Sequence, residues 1–283
     1  MKTIAIYHKD CTDGTSAAAV VLKKYPDALL FPLGHNFESH ELEPLMSLAK
    51  KGDRILMVDC VIGVPEFLKA GFDVTAIDHH IGIQKEMEAL AKSHTAFTYV
   101  FDNTQSGATL CWQYLFPKEK MPELLKYVAD ADIWTWKYGE ETKYANSFLV
   151  SFQNKPEEML ALFDAPIEPL MHTGKIITEY ADDMVKHAVE KTEPIYLMIG
   201  THKVPFYNIT VLKSESGNKL SALRNEPVAL FSIDGMRVKI SFRSIDGQKP
   251  QAIELAQAIG GNGHKNAAGA MLPLPEFIKA LVP

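Results

Sequence analysis

Three short apolar segments of this chain each run directly into residues that bind metals. Lys2 to Tyr7 leads into His8-Lys9-Asp10-Cys11-Thr12-Asp13-Gly14, Ile55 to Val58 into Asp59-Cys60, and Val74 to Ile77 into Asp78-His79-His80. Carboxylates and imidazoles are costly to bury unpaired, and metal or phosphate chemistry is a natural reason to gather them. Three apolar strands that all end this way describe one site assembled at one edge of a parallel sheet. That single pattern restricts the fold more than any bulk property does.

The rest of the N-terminal half agrees with a doubly wound α/β sheet. Short apolar runs alternate with amphipathic stretches of 3.6-residue period. Strands are expected at about 2–8, 28–31, 55–59 and 74–78. Helices are expected at 16–24, 42–50, 65–70 and 84–92, then at 106–116, 121–130 and 157–163. A polar amphipathic stretch at about 167–191 has only Gly174 as a breaker, and Pro194 follows its end, so it is expected to be one long connecting helix. Beyond it the pattern becomes strand-rich, at 195–199, 207–211, 228–232 and 238–242. Asp234-Gly235 turns the last two into a hairpin. A short helix at 252–258 precedes the glycine-rich turn Gly260-Gly261-Asn262-Gly263-His264.

At 283 residues the chain is long enough for two cores. Its 47% hydrophobic and 23% charged residues fit an ordinary folded protein. No apolar run approaches the roughly 20 residues that span a bilayer. The chain enters its first strand without a signal-peptide pattern, and its 3 cysteines include no CxxC pair, so a reduced cytoplasm is expected. The net charge of −6 argues against tight sequence-independent binding to long duplex DNA. Residues 196–283 nevertheless carry 10 Lys+Arg against 6 Asp+Glu, whereas residues 1–195 carry 19 against 29. An acidic part suits cations and a mildly basic part suits an anion.

Taken in order, five motifs resemble the DHH phosphoesterase superfamily, in the branch with a C-terminal DHHA1 domain. They are His8 to Gly14, Asp59, Asp78-His79-His80, Val128 to Trp134, and Gly260 to Gly269, which is similar to a GGGH-xx-AAG signature. The resemblance spans nearly the whole chain. It implies a doubly wound, mainly parallel DHH metal-binding domain over 1–165, a helical connector over 166–194 and a smaller α/β DHHA1 substrate-binding domain over 195–283.

It further implies two divalent metal ions, usually manganese. His8 and Asp59 would serve one, and Asp13, Asp59, His79 and Asp130 the other, with Asp59 bridging. His80 would face the substrate phosphate, and Asp78 would orient a ligand imidazole. Arg243, Gly261, Asn262, Gly263 and His264 would hold the substrate's phosphate and terminal nucleotide. Physical chemistry supports the scheme, since two cations about 4 Å apart can activate a water and stabilise an attacked phosphate. Carboxylate oxygens with a few imidazoles suit manganese or magnesium better than zinc.

The first motif departs from the family's Asp-x-Asp-Gly, placing Cys11 where the first metal's Asp is expected. Either Asp10 swings in, or Cys11 ligates as a thiolate, or that metal is weakly held; Asp10 is favoured. Asp132 is expected to be a supporting or capping group rather than a ligand. Ser106 is expected to cap a helix and Trp112 to be core, while Trp134 and Trp136 are open to either packing or base stacking. Arg243 ends its strand where either an anion or a surface ion pair would suit it.

The expected function is metal-dependent hydrolysis of short single-stranded oligonucleotides or linear or cyclic dinucleotides to mononucleotides. A phosphomonoesterase acting on a small nucleotide such as a 3′,5′-bisphosphate, and a non-catalytic nucleotide-binding protein with a decayed metal site, are the alternatives. RNA versus DNA, exonuclease polarity and homodimerisation are left open, and no membrane partner is expected.

Overall fold

β1 (Thr3–His8) is apolar on both faces, and both faces are covered. Ile4 and Ile6 point into one core, with Ile55, Met57, Phe67 and Val74. Ala5 and Tyr7 point into the other, with Leu56, Val58, Ile77 and the small-residue helix that follows β1. This two-residue alternation between two cores explains why the strand is a continuous apolar run.

The computed structural model describes residues 2–34 and 39–282. It comprises two compact units, Met1–Thr178 and Glu179–Pro283. In the first unit β1 leads into α1 (Thr12–Lys24), then β2 (Leu29–Leu33), α2 (Glu43–Leu48), β3 (Arg54–Val58), α3 (Val64–Lys69), β4 (Asp73–Asp78), α4 (Gln84–Ser93) and β5 (Phe97–Phe101). The sheet is wholly parallel in the order β2-β1-β3-β4-β5. The order reverses between β1 and β3, the switch point outside which doubly wound sheets bind ligands. Helices complete the unit: α5 (Gly107–Leu115), α6 (Glu123–Asp132), α7 (Glu140–Leu149), α8 (Pro156–Ala161) and the first half of α9 (Ile167–Lys191).

The second unit holds the rest of α9, β6 (Ile195–Ile199), β7 (His202–Tyr207), α10 (Lys213–Arg224), β8 (Val228–Asp234), β9 (Arg237–Arg243), α11 (Ala252–Gln257), β10 (Asn262–His264), β11 (Ala267–Pro273), α12 (Leu274–Lys279) and β12 (Leu281–Val282). Its seven-stranded sheet runs β10-β11-β9-β8-β7-β6-β12. Phe206, Phe242, Leu255 and Phe277 fill one face, and Tyr207, Ile209, Leu220 and Leu230 the other. Among the described residues no helix is long and apolar enough to cross a membrane.

The mixed α/β class is as expected, and several elements differ from the sequence pattern. β5, α7 and α10 were not anticipated. The expected strand over 207–211 is instead β7, which ends at Tyr207. Pro205 masks that strand in the sequence; it pairs with Tyr196 of β6, while the pairing of β7 with β8 begins one residue later at Phe206. α1 starts at Thr12, four residues before its expected start, and α6 runs on to Asp132, two residues past its expected end.

Candidate metal centre

β1, β3 and β4 all end at the switch point, so His8, Asp59 and the 78–80 triplet converge there. Asp59 is the hub. It is 1% exposed, and its backbone has a left-handed φ of 57°. A non-glycine residue rarely adopts that conformation, and such outliers cluster at functional sites. His8 Nδ1 lies 3.5 Å from Asp59 Oδ2 and His79 Nε2 3.2 Å from Oδ1. Cys11 Sγ lies 3.6 Å from Oδ2. His79 Nε2 also stands 3.4 Å from Asp132 Oδ2.

Two glycines make this convergence possible. A Cβ on Gly14 would lie 2.3 Å from the His8 carbonyl oxygen, so only glycine lets α1 start so close to the end of β1. A Cβ on Gly107 would lie 2.6 Å from Asp59 Cβ and 2.9 Å from Asp13 Oδ2. Gly107 opens α5, where Ser106 is the N-cap and accepts from the Thr109 amide, as its place in the sequence suggests. The Ala108 amide of that first turn donates to both Asp13 carboxylate oxygens, at 3.1 and 3.3 Å. A helix N-terminus thus steadies one buried acid of the cluster.

Ligand-capable atoms within 4.8 Å of one another form three overlapping groups: His8, Cys11 and Asp59; Asp59, His79 and His80; and Asp13, His79 and Asp132. Asp59 and His79 are shared between groups, which is the topology that two neighbouring cations require. The electrostatics of the metal-free cluster are unfavourable in the way a cation would relieve. Burial, then the charges of Asp132 and Asp59, push the Asp13 carboxyl well above its usual range. Burial and then Asp59 raise Asp132 to about 6. Burial also tends to raise Asp59, but His79 and His8 overcome it and hold that carboxyl below the ordinary range. Asp59 Oδ1 is buried and is faced by His79 Nε2 at 3.2 Å, an ion-pair contact without good hydrogen-bond geometry. A buried carboxylate in that setting, beside two acids and three imidazoles, fits a pair of divalent cations.

Asp78 is fully buried, and its Oδ1 lies 2.7 Å from His80 Nδ1. That contact raises His80 to about 9 against the effect of burial. The imidazole that Asp78 contacts is that of His80, the residue expected to face the substrate phosphate rather than to ligate a metal. His79 is also raised, by Asp59 and Asp132 working against burial.

The structure does not bring Asp10 or Asp130 to the cluster. Asp10 has φ 54°, and its side chain turns outward to accept from Asn154 Nδ2 at 2.6 Å. Cys11, at the N-cap of α1, faces Asp59 in its stead, with its thiol pushed up by burial and then by Asp59 and Asp13. The Asp130 carboxylate is consumed by the loop that follows it. It accepts from the Lys137 amide at 2.7 Å, the Tyr138 amide at 3.1 Å and the hydroxyls of Thr135 and Thr142. Burial opposes its charge, but these donors lower it to about 2. Asp132, expected as a supporting group, is the acid beside His79. The missed signal was helical phase, because a helix extended by two residues presents the opposite face.

In the second unit the register places His264 opposite Ala267 and Ala267 opposite Arg243, so the three side chains share one face of the sheet. Arg243 passes over Gly217, whose Cβ would lie 2.7 Å from Arg243 Cγ, and donates to Ser214 Oγ at 3.0 Å and the Phe242 carbonyl at 2.8 Å. It makes no ion pair among the described residues. Burial lowers its pKa. The glycines of the turn serve close strand approach. A Cβ on Gly261 would meet the Gly269 carbonyl oxygen at 2.2 Å, and one on Gly263 (φ 149°) would meet Ala268 Cα at 2.5 Å. Asn262 Oδ1 accepts from the Gly263 amide, and His264 is exposed.

Comparison with known proteins agrees with this architecture. The DHHA1 domain family matches residues 212–282. An uncharacterized protein of Acanthamoeba polyphaga mimivirus is 23% identical over 94% of the chain, which spans 66%, just under two thirds, of that protein's length. A manganese-bound structure of the exonuclease RecJ superposes with a TM-score of 0.57 at 17% identity, covering 99% of this chain and 89% of that one. The pGpG-specific phosphodiesterase PggH from Vibrio cholerae superposes with a TM-score of 0.56 at 12% identity, covering 99% and 96%. At these identities the likeness is one of fold. The DHHA1 domain family matches residues 212–282, and over its length the chain shares the fold of RecJ and PggH.

Proposed function

We propose that the protein is a metal-dependent phosphodiesterase that hydrolyses short oligonucleotides or dinucleotides to mononucleotides. The observation that carries this is the set of ligand atoms from His8, Cys11, Asp13, Asp59, His79, His80 and Asp132, gathered at a switch point around the buried Asp59 carboxylate. RecJ and PggH, with the same fold, are named for an exonuclease and a phosphodiesterase activity.

His8, Cys11 and Asp59 would hold one divalent cation, and Asp13, Asp59, His79 and Asp132 the other. When bound, the cations supply the charge that activates water and neutralises the attacked phosphate. Hard oxygen ligands favour manganese or magnesium, and the single sulfur at Cys11 adds a softer donor on one side. His80, held charged at neutral pH by Asp78 in the metal-free protein, can donate to a phosphate oxygen. In the second unit the exposed His264 and the guanidinium of Arg243, on one sheet face, suit a phosphate.

The test is manganese-dependent release of mononucleotides from labelled RNA and DNA oligomers of increasing length and from cyclic dinucleotides, with Asp59→Ala as control. Release that fades with length and vanishes in the variant supports the proposal. Absence of release from every substrate, with one metal or none bound, sinks it in favour of a binding protein. Release of terminal phosphate alone would favour a phosphomonoesterase.

A further inference from the structure

Immediately after Asp132, the chain presents two tryptophans in a conformation that tryptophan rarely adopts. Trp134 has φ 60° and Trp136 φ 51°. Trp134 is 67% exposed, while Trp112, as expected, is packed in the core. A large aromatic side chain left in water on a left-handed backbone is unfavourable on both counts.

The loop is nonetheless firmly held. Four donors from residues 135–142 converge on the Asp130 carboxylate, and the Asp130 carbonyl accepts from the Thr135 amide at 3.1 Å and the Trp136 amide at 3.4 Å. The Trp134 amide is bonded to the Ala131 carbonyl at 3.3 Å. Trp136 meets Trp134 edge to face, with ring centroids 5.0 Å apart at 80°. Asp130 thus spends a buried charge on fixing the segment that displays Trp134, two residues from a carboxylate of the cation cluster. Strain that the surroundings over-determine, next to a reactive centre, is the pattern of a functional element.

We propose that Trp134, braced by Trp136, is the stacking platform for the nucleobase adjoining the phosphate attacked at the cluster. This rests on the phosphodiesterase reading and specifies what the site recognises beyond phosphate. Every base offers a π-face, so the platform accepts all four bases and demands that a base be present. It confers selectivity for nucleotides over other phosphodiesters, and Asp130 acts as its positioning residue.

The experiment compares wild type with Trp134→Ala and Trp134→Phe on a dinucleotide and on the same dinucleotide lacking the base next to the cleaved bond. Trp134→Ala should raise KM for the intact dinucleotide by about 5- to 150-fold, the range for loss of one base stack, with kcat nearly unchanged. KM for the abasic analogue should not move, and Trp134→Phe should retain most of the affinity. A second measurement needs no turnover. With magnesium present, adenosine monophosphate should quench wild-type tryptophan fluorescence more than ribose 5-phosphate does, and Trp134→Ala should abolish the difference. The proposal is overturned if Trp134→Ala shifts both substrates equally, as for a residue that only shapes the loop or meets another protein surface. It is equally overturned if base-specific quenching is absent or survives Trp134→Ala. Lack of turnover on any oligonucleotide, with quenching intact, would sink the phosphodiesterase reading and leave a base-stacking nucleotide site.

Discussion

The switch-point edge of the first unit and the face of the second unit's sheet that carries Arg243 differ in the charges they gather. Around Asp59, burial and the charge of the hub carboxylate raise Asp13 and Asp132. Around Arg243, a half-buried guanidinium donates to a hydroxyl and a carbonyl and is influenced by Glu215 without an ion pair among the described residues. The first region crowds acids together, whereas the second sets a single guanidinium against neutral acceptors. The difference teaches that part of the acidic excess of residues 1–195 is gathered in one cluster.

The most damaging way to break the first region is to remove its hub. Asp59→Ala should abolish metal-dependent turnover, a loss greater than the roughly 10- to 100-fold that removing an outer partner of a metal ligand costs. Metal content measured on the folded variant should fall in parallel. Asp78→Asn removes such an outer partner. It should cost about 10- to 100-fold in activity while the ions stay bound, because His80 loses the carboxylate that orients and charges it. Equal metal loss in both variants would show that the hub and the orienting acid are not distinct.

Asp130 and Asp132 sharpen the comparison within a single helix end. Asp132→Asn should weaken metal binding while the metal-free protein becomes no less stable in urea at neutral pH, since burial and Asp59 disfavour the Asp132 charge. Asp130→Asn should leave metal content alone and lower stability by about 1–3 kcal/mol, because two backbone amides and two hydroxyls lose a charged acceptor. If instead Asp130→Asn strips metal while stability holds, the assignment of the two acids is reversed. Gly107→Ala should cost a similar 1–3 kcal/mol through overpacking against Asp59, read as a lowered urea midpoint.

These two acids also mark where the sequence stops being legible. His8, Asp59 and the 78–80 triplet could be placed because a parallel sheet delivers all its strand ends to one edge, whatever the details of the loops. Asp132 could not, because its direction depends on where α6 ends, and helix ends are set by tertiary contacts that no local pattern encodes. Two further residues of helix rotate the side chain by about 200° at 100° per residue. Asp10 and Cys11 were ambiguous for a related reason. The left-handed turn at Asp10 and the early start of α1 decide which of the two faces inward, and both depend on the approach of Gly14 to His8 and of Asn154 to Asp10. α10 escaped because its stretch Lys213-Ser214-Glu215-Ser216-Gly217-Asn218 carries little helical periodicity and is held by the sheet beneath it.

The smallest expected effect is a pH dependence confined to the metal-free protein, and its sign separates the two regions once more. His80 is raised to about 9, so the stability it contributes is fully present below the unfolded histidine value near 6.5 and is lost as pH rises through 9. Asp132, raised to about 6, keeps its proton in the folded state where the unfolded chain has lost it, so stability falls as pH rises from about 4 to 6. Both groups therefore make the metal-free protein less stable toward alkaline pH. Divalent cations, which compete with protons for the same ligands, should stabilise more at pH 8 than at pH 5.5 and release protons on binding. Thermal melts with and without manganese at the two pH values check this, with Arg243→Ala as a control that should leave the difference unchanged because its guanidinium stays charged throughout. A metal-induced shift in Tm that is larger at pH 5.5 would mean that the buried acids do not take up the ions.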